Sequence, residues 1–316
     1  MNYSLIIPFF NEEKNIQSLL NNLFVSLNNL NNENRNFQII FVDDGSKDST
    51  FEKLKIYSDK KFKTIIIKHK TNTSQSSAIL SGIKNSKYEN IITLDGDGQN
   101  DPSDIQKLIE EFEEGPDMVI GWRKFRKDNL FKKIIPSIVA NYIVRFFTGS
   151  KIHDHGCALR VFKKDKLDEL TNWGDFHRLL AARFTSNNYI VKEIQINHFH
   201  RVHGVSNYSF NRIAYVIMDL LYIKLFKNYK TKSIYVFGLF SLISILLSLV
   251  VFLINLILKF FYQSSFISTP LPILAVFLFM SGIIFLFIGF VSQLIISQSD
   301  INKKDLNNDS EIIEVN

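Results

Sequence analysis

A single cysteine, Cys157, stands in a chain of 316 residues. That excludes an intrachain disulfide and deprives a zinc site of the paired thiolates it commonly uses. Proline is scarce, at 6 residues, and no basic-aromatic motif of the nucleic-acid-binding kinds occurs, which excludes nucleic acid as the partner. The formal net charge of +6 is modest. An excess of this size suits an anionic membrane surface as readily as an anionic ligand. There is no internal repeat, and the Asn-rich piece LNNLNNENRN reads as a helix end and loop. The opening MNYSLIIPFFNEEKN has too short an apolar run for a cleavable signal, reaching Pro8 and Glu12 at once.

Charge is missing altogether from two long stretches. IYVFGLFSLISILLSLVVFLINLIL, from Ile234 to Leu258, and PLPILAVFLFMSGIIFLFIGFVSQLII, from Pro270 to Ile296, carry none. At ~1.5 Å per residue each is long enough for a hydrocarbon core of ~30 Å. Buried helices of a soluble core are the other reading, but such cores rarely contain uncharged runs of this length. Lys224, Lys227, Lys230 and Lys232 precede the first run, and Lys303 and Lys304 follow the second, while the connection has only Lys259. This asymmetry predicts a hairpin in the inner membrane with both ends in the cytosol. The expected organisation is a catalytic domain over 1–228, spans at 233–258 and 270–296, and a polar cytosolic tail at 297–316.

The soluble part alternates strand and helix. SLIIPFF is a short β-rich run broken by Pro8, and helical spacing follows through Ile16, Leu19, Leu20, Leu23 and Leu27. Phe37 to Val42 predicts a second strand, with a turn at Asp43 to Lys47 and a helix after Asp48. KTIIIKH and NIITLDG supply two more strands around a helix from Gln75 to Asn85. The pattern predicts an α/β, Rossmann-like, mainly parallel sheet that binds its ligand at the carboxyl ends of the strands.

Acids gather at those ends. Asp43 and Asp44 close one strand, Asp95 and Asp97 close another, and Glu12 follows a third. A polar turn accounts for part of this, with Asn100 to Asp104 turning the chain and capping the next helix. A nucleotide diphosphate with a divalent ion accounts for the set as a whole, since such an ion needs only one or two protein carboxylates when phosphates and water complete its shell.

Taken in order, IIPFFNEE, FVDDGSKDS and LDGDGQNDP resemble the donor half of family-2 inverting glycosyltransferases of the GT-A fold. GWRKFRKD, DHGCALRVFKKD, FHRLLAARF and EIQINHFHRVHGVSNYSFNR, followed by two spans, resemble the polyprenyl-phosphate glycosyltransferases within that family. The resemblance implies metal-dependent transfer of one sugar, with inversion, from a UDP- or GDP-sugar to undecaprenyl or dolichyl phosphate at the cytosolic face of a bilayer. It implies Mg²⁺ or Mn²⁺ as cofactor and allows a homo-oligomer. Pro8, Phe10 and Glu12 match the first nucleotide-binding turn, and Val42 and Asp44 the base-binding strand end. Asp95, Gly96 and Asp97 match the DxD, and Gln99 the polar residue that helps hold the metal. Arg123, with Arg126, matches the cations near the donor diphosphate, and Arg201 a phosphate-facing arginine.

Asp97, Arg123 and Asp154 are the expected catalytic residues, Asp154 as a base or positioning group on the acceptor side or else as a loop aspartate capping the turn at Gly156. Asn207 stands where the family usually has Lys, and Arg212 or Arg201 is the compensating cation. Thr71 stands where the family often has Arg. Those two departures carry the alternative of a non-catalytic, membrane-tethered nucleotide-sugar-binding partner of a flippase. A processive polysaccharide synthase is disfavoured because no Gln-x-x-Arg-Trp occurs. Segments 129–147 and 210–226 mix large apolar residues with Lys or Arg, and are expected to lie as helices at the bilayer surface or to pack on the domain.

Overall fold

The computed structural model describes residues 1–31, 35–57, 62–125, 134–167, 176–200, 218, 220, 233–262, 265, 269–299 and 310–315. They form two compact units, Met1–Ile223 with Asn308–Asn316, and Lys224–Asn307. Arg126, Arg201, Asn207 and Arg212 lie outside the described residues, as does nearly all of 210–226.

The first unit begins with β1 (Asn2–Phe9), α1 (Ile16–Asn31), β2 (Asn36–Asp43), α2 (Thr50–Tyr57), β3 (Lys63–His69), α3 (Gln75–Lys84) and β4 (Asn90–Thr93). It continues with α4 (Ile105–Glu113), β5 (Met118–Trp122), α5 (Ile135–Thr148), β6 (Arg160–Lys163), α6 (Phe176–Ser186) and β7 (Val191–Gln195). A last strand, β8 (Ser310–Val315), completes the sheet order β7-β5-β6-β4-β1-β2-β3-β8. The pairs β1–β2, β2–β3, β1–β4 and β5–β7 are parallel, and β6 and β8 run antiparallel to their neighbours.

Right-handed crossovers explain the layering. Stepping from β1 to β2 to β3 places α1 and α2 on one face, and the return from β3 to β4 places α3 on the other. Accordingly α1 packs with α2 and α4, while α3 packs with α6, which packs with α5. The direction of stepping reverses between β1 and β4, and that switch point opens a crevice at the carboxyl ends of the strands. The strands are buried on both faces, which is why they read as continuous runs such as Ile39 to Val42 and Ile65 to Ile67.

Two local expectations change. Pro8 does not break β1 but pairs with Val42 inside it. Leu94 N donates to the Ile6 carbonyl, so Ile6 and, by alternation, Pro8 face the β4 side. There the ladder ends at Ile6 opposite Thr93, and the N–H that proline lacks has no partner to lose. The tail at 297–316 is also more than a polar end, because Ser310–Val315 pairs with β3 from Thr64 to His69.

α5 carries apolar residues on two sides. Val144 packs with Leu179, Ala182 and Leu220, whereas Ile138, Val139, Tyr142 and Phe146 are exposed. Gly149 ends it with φ 68, its N–H on the Arg145 carbonyl at 2.9 Å, the left-handed cap that glycine adopts without strain.

The second unit holds α7 (Ser233–Tyr262) and α8 (Leu271–Ser299), two helices long and apolar enough to cross a membrane. Small polar residues join them. Ser244 Oγ meets the Leu278 carbonyl at 2.9 Å and Ser281 Oγ at 2.6 Å, and Ser248 Oγ donates to the Ala275 carbonyl at 2.8 Å. A Cβ at Gly282 would stand 2.6 Å from Ile245. Small residues and interhelical hydrogen bonds of this kind hold helices together where no hydrophobic drive exists between them.

Candidate active site

The β1–β4 switch point gathers the predicted carboxylates. Asp95 and Asp97 follow β4, half-buried. Asp95 Oδ1 accepts Gln75 Nε2 at 2.6 Å, and Asp97 Oδ1 accepts the Gln99 N–H at 3.1 Å. Gln99 is tied on both sides to the segment after β7, since its carbonyl accepts the Phe199 N–H at 2.8 Å and its Nε2 reaches the Phe199 carbonyl at 3.4 Å. Its amide oxygen is therefore the end left for a ligand. Asp101 caps the next turn through the Ser103 N–H at 3.0 Å, and buried Asp104 accepts the Asn197 N–H at 2.7 Å. Asp101 and Asp104 are thus the acids that hold this loop's own structure.

Gly96 has a packing role. A Cβ there would lie 2.5 Å from the Phe9 ring and 2.8 Å from the Pro8 carbonyl, so the loop crosses β1 only because residue 96 lacks a side chain. Gly96→Ala is expected to cost about 1–3 kcal/mol, the usual penalty of overpacking. A lowered midpoint in denaturant titration at unchanged slope checks this.

The strand end of β2 differs from its expected form. Asp44 is buried, its Oδ1 held by His69 Nδ1 at 2.7 Å, Thr73 Oγ1 at 2.8 Å and the Thr73 N–H at 3.1 Å. Asn72 Nδ2 reaches its Oδ2 at 3.0 Å. Asp44 thereby joins β2 to the turn after β3. Asp43 Oδ1 accepts the Ser46 N–H at 3.0 Å, while its buried Oδ2 has no partner. Burial raises the Asp43 carboxyl above the ordinary range. The unsatisfied acceptor at this strand end is Asp43, which the sequence places among the acids at the strand ends but not among the expected site residues.

Val42 is buried in the core, whereas Phe10 is exposed just beyond β1. Glu12 is buried, its Oε2 on Asn15 Nδ2 at 2.5 Å and its N–H on Thr50 Oγ1 at 2.9 Å. It fixes the first turn.

Arg123 and Asp154 form a two-point pair, Nε to Oδ2 at 2.7 Å and Nη2 to Oδ1 at 2.9 Å, with side chains 13% and 6% exposed. Burial works to lower the guanidinium, but attraction to Asp154 outweighs it and holds Arg123 well above its ordinary value. Both Asp154 oxygens are engaged by Arg123, the two-point geometry of a charge-assisted pair. His155 beside it is buried with both ring nitrogens unpartnered, and burial lowers it to about 4, so it is neutral.

A cavity of about 150 Å³ is lined by Pro8, Gln75, Asp95, Arg123, Gly156, Arg160, His177 and Arg178. Gln75, Arg160, His177 and Arg178 were not among the expected site residues. Gln75 was visible as the last residue of Thr71-Asn72-Thr73-Ser74-Gln75, and Ser74 starts its helix by accepting the Ser77 N–H. Cys157, next to the cavity, is fully buried, and burial pushes its thiol up to about 12. Native protein is expected to resist iodoacetamide at pH 8 and to take up one equivalent after denaturation, read by intact mass.

Asp95, Asp97 and Gln99 offer only oxygen ligands from one loop, and no group of three or more His, Cys, Asp or Glu placed to hold a metal ion occurs among the described residues. Such a set fits Mg²⁺ or Mn²⁺ brought with a diphosphate better than an ion caged by protein alone.

Comparison with known proteins places this geometry in a class. The family model for glycosyl transferase family 2 matches residues 4–171. The dodecaprenyl-phosphate galacturonate synthase of Rhizobium johnstonii is 32% identical over 296 residues, covering 92% of this chain and 87% of the relative. The undecaprenyl-phosphate 4-deoxy-4-formamido-L-arabinose transferase of Pseudomonas paraeruginosa is 32% identical over 222 residues, 69% of this chain and 63% of the relative. Among solved structures, glucosyl-3-phosphoglycerate synthase from Mycobacterium tuberculosis, in complex with Mn²⁺, UDP-glucose and phosphoglyceric acid, aligns with a TM-score of 0.54 at 13% identity. It covers 72% of this chain and 79% of that one.

The fold is GT-A, an α/β glycosyltransferase domain with two apolar helices C-terminal to its first seven strands. The chain belongs to glycosyl transferase family 2 and is an enzyme of that family.

Proposed function

We propose that this chain transfers a single sugar from a nucleoside-diphosphate sugar to a polyprenyl phosphate at the cytosolic face of the inner membrane, with inversion. The observation that carries the reading is Asp95 and Arg123 lining one cavity, with Asp97 two residues further on in the same loop, in a chain that also holds two helices of membrane-spanning length. The 32% identical relatives, named for dodecaprenyl- and undecaprenyl-phosphate acceptors, support it.

Asp95 and Asp97, with the Gln99 oxygen, hold Mg²⁺ or Mn²⁺, which supplies charge neutralisation of the departing diphosphate. Arg123, set by Asp154, directs N–H groups toward the same leaving group, and Arg126, Arg201 and Arg212 add phosphate contacts. Phe10 faces the base, with Pro8, Glu12, Val42, Asp43 and Asp44 shaping the strand ends around it. The acceptor phosphate is already ionised near neutral pH, so no protein base is needed, in keeping with Asp154 being spent on Arg123. Direct attack by a phosphate oxygen at the anomeric carbon breaks the bond to the diphosphate in one displacement, and the nucleoside diphosphate leaves.

The exposed side of α5 (Ile138, Val139, Tyr142, Phe146) rests on the bilayer surface and brings the cavity to the depth of a lipid phosphate. The chain leaves the catalytic unit before α7 and rejoins it at β8. An even number of crossings accords with that connectivity and with the lysines flanking the hairpin. Incubating purified full-length chain with Mn²⁺, undecaprenyl phosphate and an α-linked UDP-sugar tests the reading. One UDP per lipid-linked sugar and a β-configured product are expected, and an α-configured product excludes direct displacement.

A further inference from the structure

The cavity beside Asp95 contains a buried cation that the transfer reaction as described does not use. Arg160 is 3% exposed. Its terminal nitrogens bind the carbonyls of His177, at 2.6 Å, and Cys157, and its Nε has no partner. A guanidinium taken out of water is ordinarily paired with a carboxylate. Arg123 lines the same cavity but is paired at two points with Asp154, whereas the hydrogen bonds of Arg160 among the described residues go to carbonyls, and Asp95 and Asp154 act on it only through space.

A second, independent feature points the same way. α6 begins at Phe176, and its first turn carries His177 and Arg178, both of which line the cavity. Partial positive charge from the helix N-terminus therefore adds to that of Arg160, whose bond to the His177 carbonyl fixes this turn. His177 Nδ1 meets Ser76 Oγ at 2.7 Å, and its Nε2 accepts Arg178 Nε at 3.2 Å. The ring thus holds Arg178 in place. Gln75, which also lines the cavity, covers one oxygen of Asp95.

We propose that Arg160, His177 and Arg178 form an oxyanion subsite beside Asp95, holding a negatively charged substrate group other than the donor diphosphate. The proposal rests on the transferase reading and names the residues of its second anion. Two substrate groups have this chemistry, a carboxylate on the donor sugar ring and the phosphate of the lipid acceptor. Each is an oxyanion that a planar guanidinium binds at two points.

The test uses purified full-length wild type, Arg178→Gln and Arg160→Lys with Mn²⁺. One arm measures Kd for UDP-galacturonate against UDP-galactose without acceptor. If the anion is the sugar carboxylate, wild type prefers the uronate at least tenfold and both variants lose the preference. The other arm measures KM for undecaprenyl phosphate at saturating donor. If the anion is the acceptor phosphate, the variants raise that KM at least tenfold with kcat within threefold of wild type, a split that general misfolding does not produce. Variants that keep the wild-type UDP Kd and change neither quantity by more than twofold overturn the subsite alone. A wild type that binds no UDP- or GDP-sugar and labels no lipid overturns the transferase reading, and the subsite with it.

Discussion

Asp97→Asn lowers kcat for sugar transfer by roughly a thousandfold, while the midpoint of thermal unfolding stays within a few degrees. The magnitude is that of removing one preorganised electrostatic contact from a developing charge, about 10²–10³-fold, compounded here by weaker metal binding. Stability is spared because Asp97 is half-buried and the Asn side-chain oxygen still accepts the Gln99 N–H that Asp97 Oδ1 accepts. Initial rates over a Mn²⁺ titration, with a melting curve for each protein, check both halves. Asp95→Asn belongs to the same experiment, and it additionally alters the Gln75 contact.

Asp154→Asn is expected to do damage of another kind. Breaking a buried ion pair from one side leaves the other charge uncompensated and typically costs about 3–5 kcal/mol. Arg123 is only 13% exposed, so solvent screens little of that cost. Transfer falls as well, because the guanidinium loses the two-point contact that aims it. The double variant Arg123→Met with Asp154→Leu recovers much of the stability and none of the activity, which separates the structural from the catalytic part of the pair. Denaturant titration and initial rates on wild type, Arg123→Met, Asp154→Leu and the double variant, with Asp154→Asn alongside, check this.

Much of the molecule was legible from residues alone, for identifiable reasons. Strands buried on both faces write continuous apolar runs, and Lys63–His69 forms a strand over the span KTIIIKH predicts. α3 similarly covers Gln75–Lys84, one residue short of the predicted end. The carboxylate rim could be read because parallel topology sends every strand end to one edge. What stayed hidden depends on contacts far apart in sequence. Asp154 and Arg123 are 31 positions apart, and only packing shows that the aspartate is consumed by the arginine. Gly96 looked like part of a ligand loop because its real constraint, the Phe9 ring, lies on another strand. Asp43 and Asp44 differ by one position, and local sequence does not say which of them His69 and Thr73 occupy. The pairing of β8 was illegible for the same reason, since it joins residues some 240 positions apart across the apolar hairpin.

The most direct measurement is lipid extraction. Full-length chain in detergent is incubated with Mn²⁺, undecaprenyl phosphate and a panel of radiolabelled UDP- and GDP-sugars, with and without a chelator, and organic-phase counts are taken. The account predicts that at least one donor labels the lipid, that the chelator abolishes the label, and that Asp97→Asn does the same. Normal donor binding with no label in the lipid phase for any sugar contradicts it.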